Sequence, residues 1–396
     1  MTIATILLGC VPLCFAVSAS QPVELPFRTN GIAFAARPTV MWRADEVLRY
    51  AREPLLSRMG DGSLVCALYT GGRREPDTNN VVAVIRSADD GATWSTPETV
   101  FSHPRRACWA TELNTLGDRP ELVFQTFDAH TYYSDLRPFR CWTDDCGGSW
   151  TNPVSFAGVP SGFTVRQGVR TSDGALVYPV YWQVCDGDYR GWVDYERPKI
   201  DWSGWGRGGQ WWFECGVIRS EDGGRSWRLA AVPPVEPREG RHLNQWEPAV
   251  VELSTGGLKM FVRVESEERV LWESESVDGG RSWTKLHPGA ISNPGTKVQA
   301  LRRGGEIVLF NNVCERTSPN RYRLEAAISS DDCRTWRHVA LADSSGSVGS
   351  DWFNGSHAQV AYPSAFFDEK RKSCYLAIDS VSEIYLLKIP YALFGF

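Results

Sequence analysis

One octapeptide recurs five times along the chain, and its spacing limits the fold more than any other feature. It opens on a small hydroxyl residue, places Asp two positions later and Gly two further on, and closes on a Ser/Thr-Trp pair. The copies are Ser87–Trp94, Thr143–Trp150, Ser220–Trp227, Ser276–Trp283 and Ser329–Trp336, the last with Cys333 where the others have Gly. The residue types belong together: Asp closes turns on nearby amides, Gly supplies positive φ, and Trp folds back as an apolar plug. Apolar or alternating strands precede the copies, as in Val81–Ile85 and Arg323–Ile328. Each copy therefore reads as the hairpin between two strands of a small antiparallel sheet.

The copies repeat at roughly 55 residues, with one longer interval, which matches one four-stranded blade per repeat. The longer interval holds an insertion around Asp186–Trp212. Counting strands before the first copy and after the last, the expectation is an all-β, six-bladed β-propeller of four-stranded antiparallel blades. The 17 Trp and 36 Gly agree with short strands, tight turns and aromatic plugs.

Composition narrows the partners. With 42% hydrophobic and 22% charged residues the chain is globular. A net charge of −5 argues against nucleic acid, whose phosphates demand a basic face. The apolar run Ile3–Val17 followed by Ser18-Ala19 reads as an export signal, giving residues 1–19 as signal peptide and 20–396 as a single domain. That implies a secreted or periplasmic protein, although Leu7-Leu8-Gly9-Cys10 also resembles a lipoprotein box. No other stretch is apolar enough for a membrane span. Of eleven cysteines, Cys10 and Cys14 fall in the export segment, and some pairing among the rest is expected in an oxidising compartment. No CxxC or HExxH occurs, so no metal is expected. Asn354-Gly355-Ser356 is a glycosylation sequon.

The octapeptide is the Asp box, and five copies at blade spacing resemble the sialidase superfamily. In that family the boxes lie away from the catalytic face, so Asp89, Asp145, Asp222, Asp278 and Asp331 read as structural. The resemblance implies three arginines holding a substrate carboxylate, a Tyr nucleophile with a Glu partner, and an Asp acid/base. Arg52-Glu53-Pro54 matches the first arginine motif, although the family more often has an apolar residue where Glu53 stands. Asp77 matches the acid/base, with Glu75 as its alternative and Arg73 as a substrate contact on the same loop. Glu247 in Asn244–Leu253 matches the partner glutamate, and Arg263 the second arginine. Arg321 matches the third, with Arg323 as an open alternative. Tyr362, in Tyr362-Pro363, matches the nucleophile better than Tyr375, which reads as packing. Tyr181 lies on a strand resembling one that lines the sugar pocket.

These types suit the chemistry. Sialic acid bears a carboxylate on its anomeric carbon, which repels an anionic nucleophile, so glycosidases of this kind use tyrosine. Arginine grips a carboxylate through two parallel hydrogen bonds. The resemblance thus implies an exo-α-sialidase, a retaining hydrolase acting on sialylated glycans or another acidic sugar, monomeric and without cofactor. Two alternatives remain: another propeller glycosidase, lyase or trans-sialidase, and a non-catalytic carbohydrate-binding propeller.

Overall fold

The computed structural model describes residues 24–49, 51–72, 75–128, 136–185, 211–315, 318–347, 358–380 and 383–396. The export segment, the core of the 186–210 insertion and the sequon lie outside them. The chain forms a six-bladed β-propeller of antiparallel blades. Blade 1 comprises β4 (Ala51–Arg58), β5 (Leu64–Thr70), β6 (Val81–Ser87) and β7 (Glu98–Phe101). Blade 2 comprises β8 (Ala107–Asn114), β9 (Glu121–Phe127) and β10 (Arg137–Trp142), with the bridge Arg140–Val154 standing for a fourth strand. Blade 3 comprises β11 (Phe163–Val165), β12 (Val169–Arg170), β13 (Leu176–Cys185), β14 (Trp211–Ser220) and β15 (Arg228–Ala231). Blade 4 comprises β16 (Gln245–Glu252), β17 (Leu258–Val264), β18 (Val270–Ser276) and β19 (His287–Ser292).

Blade 5 comprises β20 (Gln299–Arg303), β21 (Glu306–Glu315), β22 (Ser318–Ser329) and β23 (Arg337–Asp343), and the hairpin of β1 (Phe27–Thr29) and β2 (Ile32–Phe34) extends its outer edge. Blade 6 comprises β24 (Ala361–Asp368), β25 (Ser373–Asp379) and β26 (Glu383–Pro390). Its fourth strand is β3 (Pro38–Arg43) from the chain's start, so the ring closes by pairing early and late segments. Buried side chains gather in clusters that join neighbouring blades. One such cluster sets Val65 and Val84 of blade 1 against Cys108 and Phe124 of blade 2.

All five Asp boxes share one hydrogen-bond pattern. In the first, Asp89 Oδ1 accepts from Thr93 N (2.9 Å), Asp89 Oδ2 accepts from Thr93 Oγ1 (2.6 Å), and Gly91 N donates to Ser87 Oγ (2.7 Å). Asp145, Asp222, Asp278 and Asp331 repeat it. The fifth position is left-handed throughout, from Gly91 (φ 86°) to Cys333 (φ 68°), which explains why Gly occupies four of the five. These hydrogen bonds hold the box aspartates well below the usual carboxylate range, Asp89 and Asp145 at about 2. Each box joins the third strand of a blade to the fourth. Strand direction alternates within a blade, so the boxes lie on the face opposite the starts of the inner strands.

The expected disulfides are a point of correction. Cys66, Cys108, Cys141, Cys146, Cys215, Cys314, Cys333 and Cys374 are all free thiols. Six sit on strands and two, Cys146 and Cys333, in Asp-box turns, several serving as small apolar fillers of the clusters. Burial pushes the thiols of Cys108 and Cys141 up to about 12, the range of an inert group.

Candidate active site

The inner strands β4, β16 and β24 share a local device. Each carries an X-Pro pair near its start: Glu53-Pro54, Glu247-Pro248 and Tyr362-Pro363. Proline cannot donate to the ladder, and pairing with the second strand slips at each one, between Arg52 and Leu55, Trp246 and Ala249, and Ala361 and Ser364. The residue before each proline is left-handed, with φ of 48° at Glu53, 47° at Glu247 and 53° at Tyr362. Such a conformation is unfavourable for a non-glycine residue and more so before proline. Three bulges thus hold three polar side chains at equivalent places around the propeller axis. Strain of this sort gathers at functional sites.

The arginines expected from the sequence come together here. Arg52 lies on β4 with its guanidinium carbon 4.8 Å from the centre of the Tyr362 ring. Its Nε donates to Asp379 Oδ2 on β25 (3.2 Å), an oxygen that also accepts from the backbone N of Glu53 (2.9 Å). Gln359 Nε2 donates to the other oxygen of Asp379 (3.1 Å). Arg321 on β22 also reaches Tyr362, its Nη1 donating to Tyr362 Oη (3.2 Å) and its Nη2 to Gly295 O (2.8 Å). Arg263 at the end of β17 pairs with Glu247 Oε2 (2.9 Å) and borders Gly295, so Arg263 and Arg321 flank one short loop.

The choice between Arg321 and Arg323 is resolved by burial. Arg321 is buried, whereas the side chain of Arg323 is 61% exposed and faces Asp343. The β21–β22 pairing slips between Val313 and Glu315, which breaks the alternation that would have put both on one face. Tyr375 is packing, stacked on Phe366 with its hydroxyl on Asp90.

Other expected residues stand further out. Asp77 and Glu75 lie on the β5–β6 loop, at the same end of blade 1 as Arg52. Asp77 Oδ1 accepts from the backbone N and the side-chain amide of Asn79, both at 2.9 Å, which are the contacts of a turn. Glu75 lies close enough to Glu53 to disfavour its charge, so this loop borders the site. Arg73 falls outside the described residues. Tyr181 on β13 is buried against Phe213 and Trp246 and touches the cluster through its hydroxyl, 3.4 Å from Arg166 Nη2.

Three charged residues of the site escape sequence reading. Arg166 follows β11 and is 3% exposed. Its Nη1 donates to Glu53 Oε2 (2.8 Å) and its Nη2 to Glu247 Oε1 (2.9 Å), joining carboxylates from blades 1 and 4. Glu112, in the β8 bulge, and Lys297, just before β20, line a cavity of about 30 Å³ on the axis with Glu247 and Arg166. Neither makes a hydrogen bond or ion pair among the described residues, and a cavity of this size has room for water. A lone arginine, glutamate or lysine in a strand carries no motif, so only the ring geometry reveals these three.

The electrostatics follow from burial. Desolvation raises Glu53 to about 7, opposed by Arg166, and raises Glu112 to about 8, opposed by Lys297. Burial also pushes the Lys297 ammonium down. For Glu247 burial pushes upward, but Arg263, Arg166 and Arg321 together win, and its carboxyl stays below the usual range. The Tyr362 hydroxyl is raised by burial, against the pull of Arg321 and Arg52. Both oxygens of Glu247 are committed to arginines, and it makes no hydrogen bond to Tyr362. Among the described residues no cluster of three or more His, Cys, Asp or Glu side chains suits a metal, and no helix is long and apolar enough to cross a membrane.

Fold and site together define an Asp-box propeller with arginines and a tyrosine gathered at the starts of its inner strands. The chain belongs to the BNR repeat-like domain family, whose match spans residues 62–372. No curated protein matches it. Among solved structures it resembles a protein of unknown function from Dyadobacter fermentans, at 17% identity and TM-score 0.64 over 91% of this chain and 100% of that one. It also resembles the Hadza microbial sialidase Hz136, at 16% identity and TM-score 0.66 over 90% of this chain and 69% of that one. Trypanosoma rangeli sialidase in complex with sialic acid aligns at 18% identity and TM-score 0.59, over 91% of this chain and 59% of that one. At these identities the likeness is one of fold.

Proposed function

We propose that this chain is an exo-α-sialidase that hydrolyses terminal α-linked sialic acids with retention. The observation that carries the reading is the placement of Arg52 and Arg321 against Tyr362, with Arg263 beside Glu247. That arrangement suits a carboxylate next to an anomeric carbon. Arg52, Arg263 and Arg321 bind the carboxylate. Tyr362 Oη attacks the anomeric carbon, its proton passing to Glu247, while the glycosidic C–O bond breaks and an acid protonates the leaving oxygen. Water then cleaves the tyrosyl intermediate and the acid acts as base. Asp77 is assigned that acid/base role, with Glu75 as its alternative, and Arg73 and Tyr181 are assigned to the sugar pocket.

The second reading is a different reaction on an acidic sugar in the same pocket, such as transfer or elimination, which the same arginines and tyrosine would serve. Incubating the purified chain with a fluorogenic sialoside and analysing products by NMR separates the two. Free α-sialic acid formed first, and lost in Tyr362→Phe, supports hydrolysis. An anhydro or unsaturated product supports the second reading, and no turnover of any sialoside sinks both.

A further inference from the structure

Arg166 stands at the centre of the charge arrangement, hydrogen-bonded to Glu53, Glu247 and the Tyr181 hydroxyl. One planar guanidinium spends one amino group on Glu53 and the other on Glu247, from strands on opposite sides of the axis. Its plane is held against the Trp109 and Tyr181 rings, 5.1 and 5.7 Å from its central carbon. The backbone is fixed as well, since Arg166 N donates to Pro179 O (2.8 Å). A lysine could not span both carboxylates, because an ammonium is a point charge without the fork.

We infer that Arg166 is a positioning residue, which pins Glu247 in one orientation and so holds its carboxylate ready for the Tyr362 proton. The restraint is visible in the hydrogen bonds. With one carboxylate oxygen on Arg166 and the other on Arg263, Glu247 cannot rotate away without breaking a buried ion pair. The groups that face Glu247 are Arg263, Arg166 and Arg321, with Tyr362, Glu53 and Lys297 also near enough to couple to it. Arg263 links Glu247 to Glu265 of its own blade, whereas Arg166 ties it to Glu53 of another. Arg166 makes the glutamates of blades 1 and 4 one unit.

The kinetic half of the test rests on the proposed activity, and the titration half does not. Arg166→Gln and Arg166→Lys are compared with wild type for kcat, KM and the ionisation midpoint of Glu247. That midpoint is followed by ¹³C-carboxyl NMR of labelled glutamate, assigned by its loss in Glu247→Gln. Arg166→Gln is expected to lower kcat about 100-fold with KM changed less than about threefold, because the carboxylate-binding arginines remain. The Glu247 midpoint should rise by about one pH unit as one of its cations is lost. Arg166→Lys, folded but without the fork, should recover only part of kcat. If Arg166→Gln leaves Glu53 too poorly compensated to fold, Glu53→Gln/Arg166→Gln removes both charges and is read instead. A folded variant with wild-type kcat and an unmoved midpoint overturns the inference. A moved midpoint in a protein that turns over no sialoside supports the inference while the proposed activity fails.

Discussion

The hydroxyl of Tyr362 accepts a hydrogen bond from Arg321 Nη1 at 3.2 Å, and among the described residues no carboxylate hydrogen-bonds to it. Arg321 therefore serves two ends, one on the phenol and one on the Gly295 carbonyl. Arg321→Lys keeps the charge but cannot hold both. It should lower kcat/KM on a sialoside about 100-fold, with both KM and kcat affected, in steady-state assays.

Asp379 sets the other side of the ring. Its Oδ2 takes both Arg52 Nε and the Glu53 amide, and both side chains of the pair are buried. Asp379→Asn strips the countercharge from a buried guanidinium. Denaturant unfolding should show a loss of about 3 kcal/mol. A change under about 0.5 kcal/mol would show that Arg52 finds its compensation elsewhere.

Glu112 makes stability depend on pH in an unusual direction. Burial raises its carboxyl to about 8, so the folded state binds the proton more tightly than the unfolded chain does. Its contribution is therefore most favourable below the unfolded value and fades as pH rises toward about 8. Glu112→Gln carries no such charge. Its stability relative to wild type should grow by up to about 4 kcal/mol between roughly pH 5 and pH 9, measured by urea unfolding across that range. A flat difference would mean that Lys297 neutralises Glu112 throughout.

The Asp-box turns offer a test remote from the site. A methyl on Gly91 would meet Leu386 Cδ2 at 2.4 Å while its backbone stays at φ 86°. Gly91→Ala should cost about 2 kcal/mol in thermal or urea unfolding and leave KM unchanged.

The blades were legible because the repeat fixes turns, and a turn is a local object that a few residues decide. Ser87, Asp89, Gly91 and Trp94 lie within eight residues and need nothing remote. Arg52, Glu247, Arg263, Arg321 and Tyr362 were legible through a family pattern, and the structure gathers them. Arg166, Glu112 and Lys297 were not legible, since their significance arises only when blades 2, 3 and 5 meet on the axis. Disulfides were expected from compartment chemistry, yet the described thiols are unpaired, several of them packed as apolar fillers. Arg323, the alternative to Arg321, is turned outward by the slip in β21–β22, which no local pattern announces.

The union of β3 with β26 has a consequence for how the molecule is made. Arg43 bonds Glu383 across 340 residues of sequence, so β3 is synthesised first among the strands of its blade and stays an open edge until the last blade exists. Contacts so distant close late and slowly, and an unpaired edge invites other chains. During synthesis the vulnerable species is therefore an open arc of finished blades with a sticky strand at each end. Occupancy of that strand by its own blade, more than any single blade's stability, decides whether a nascent chain becomes a ring or an aggregate.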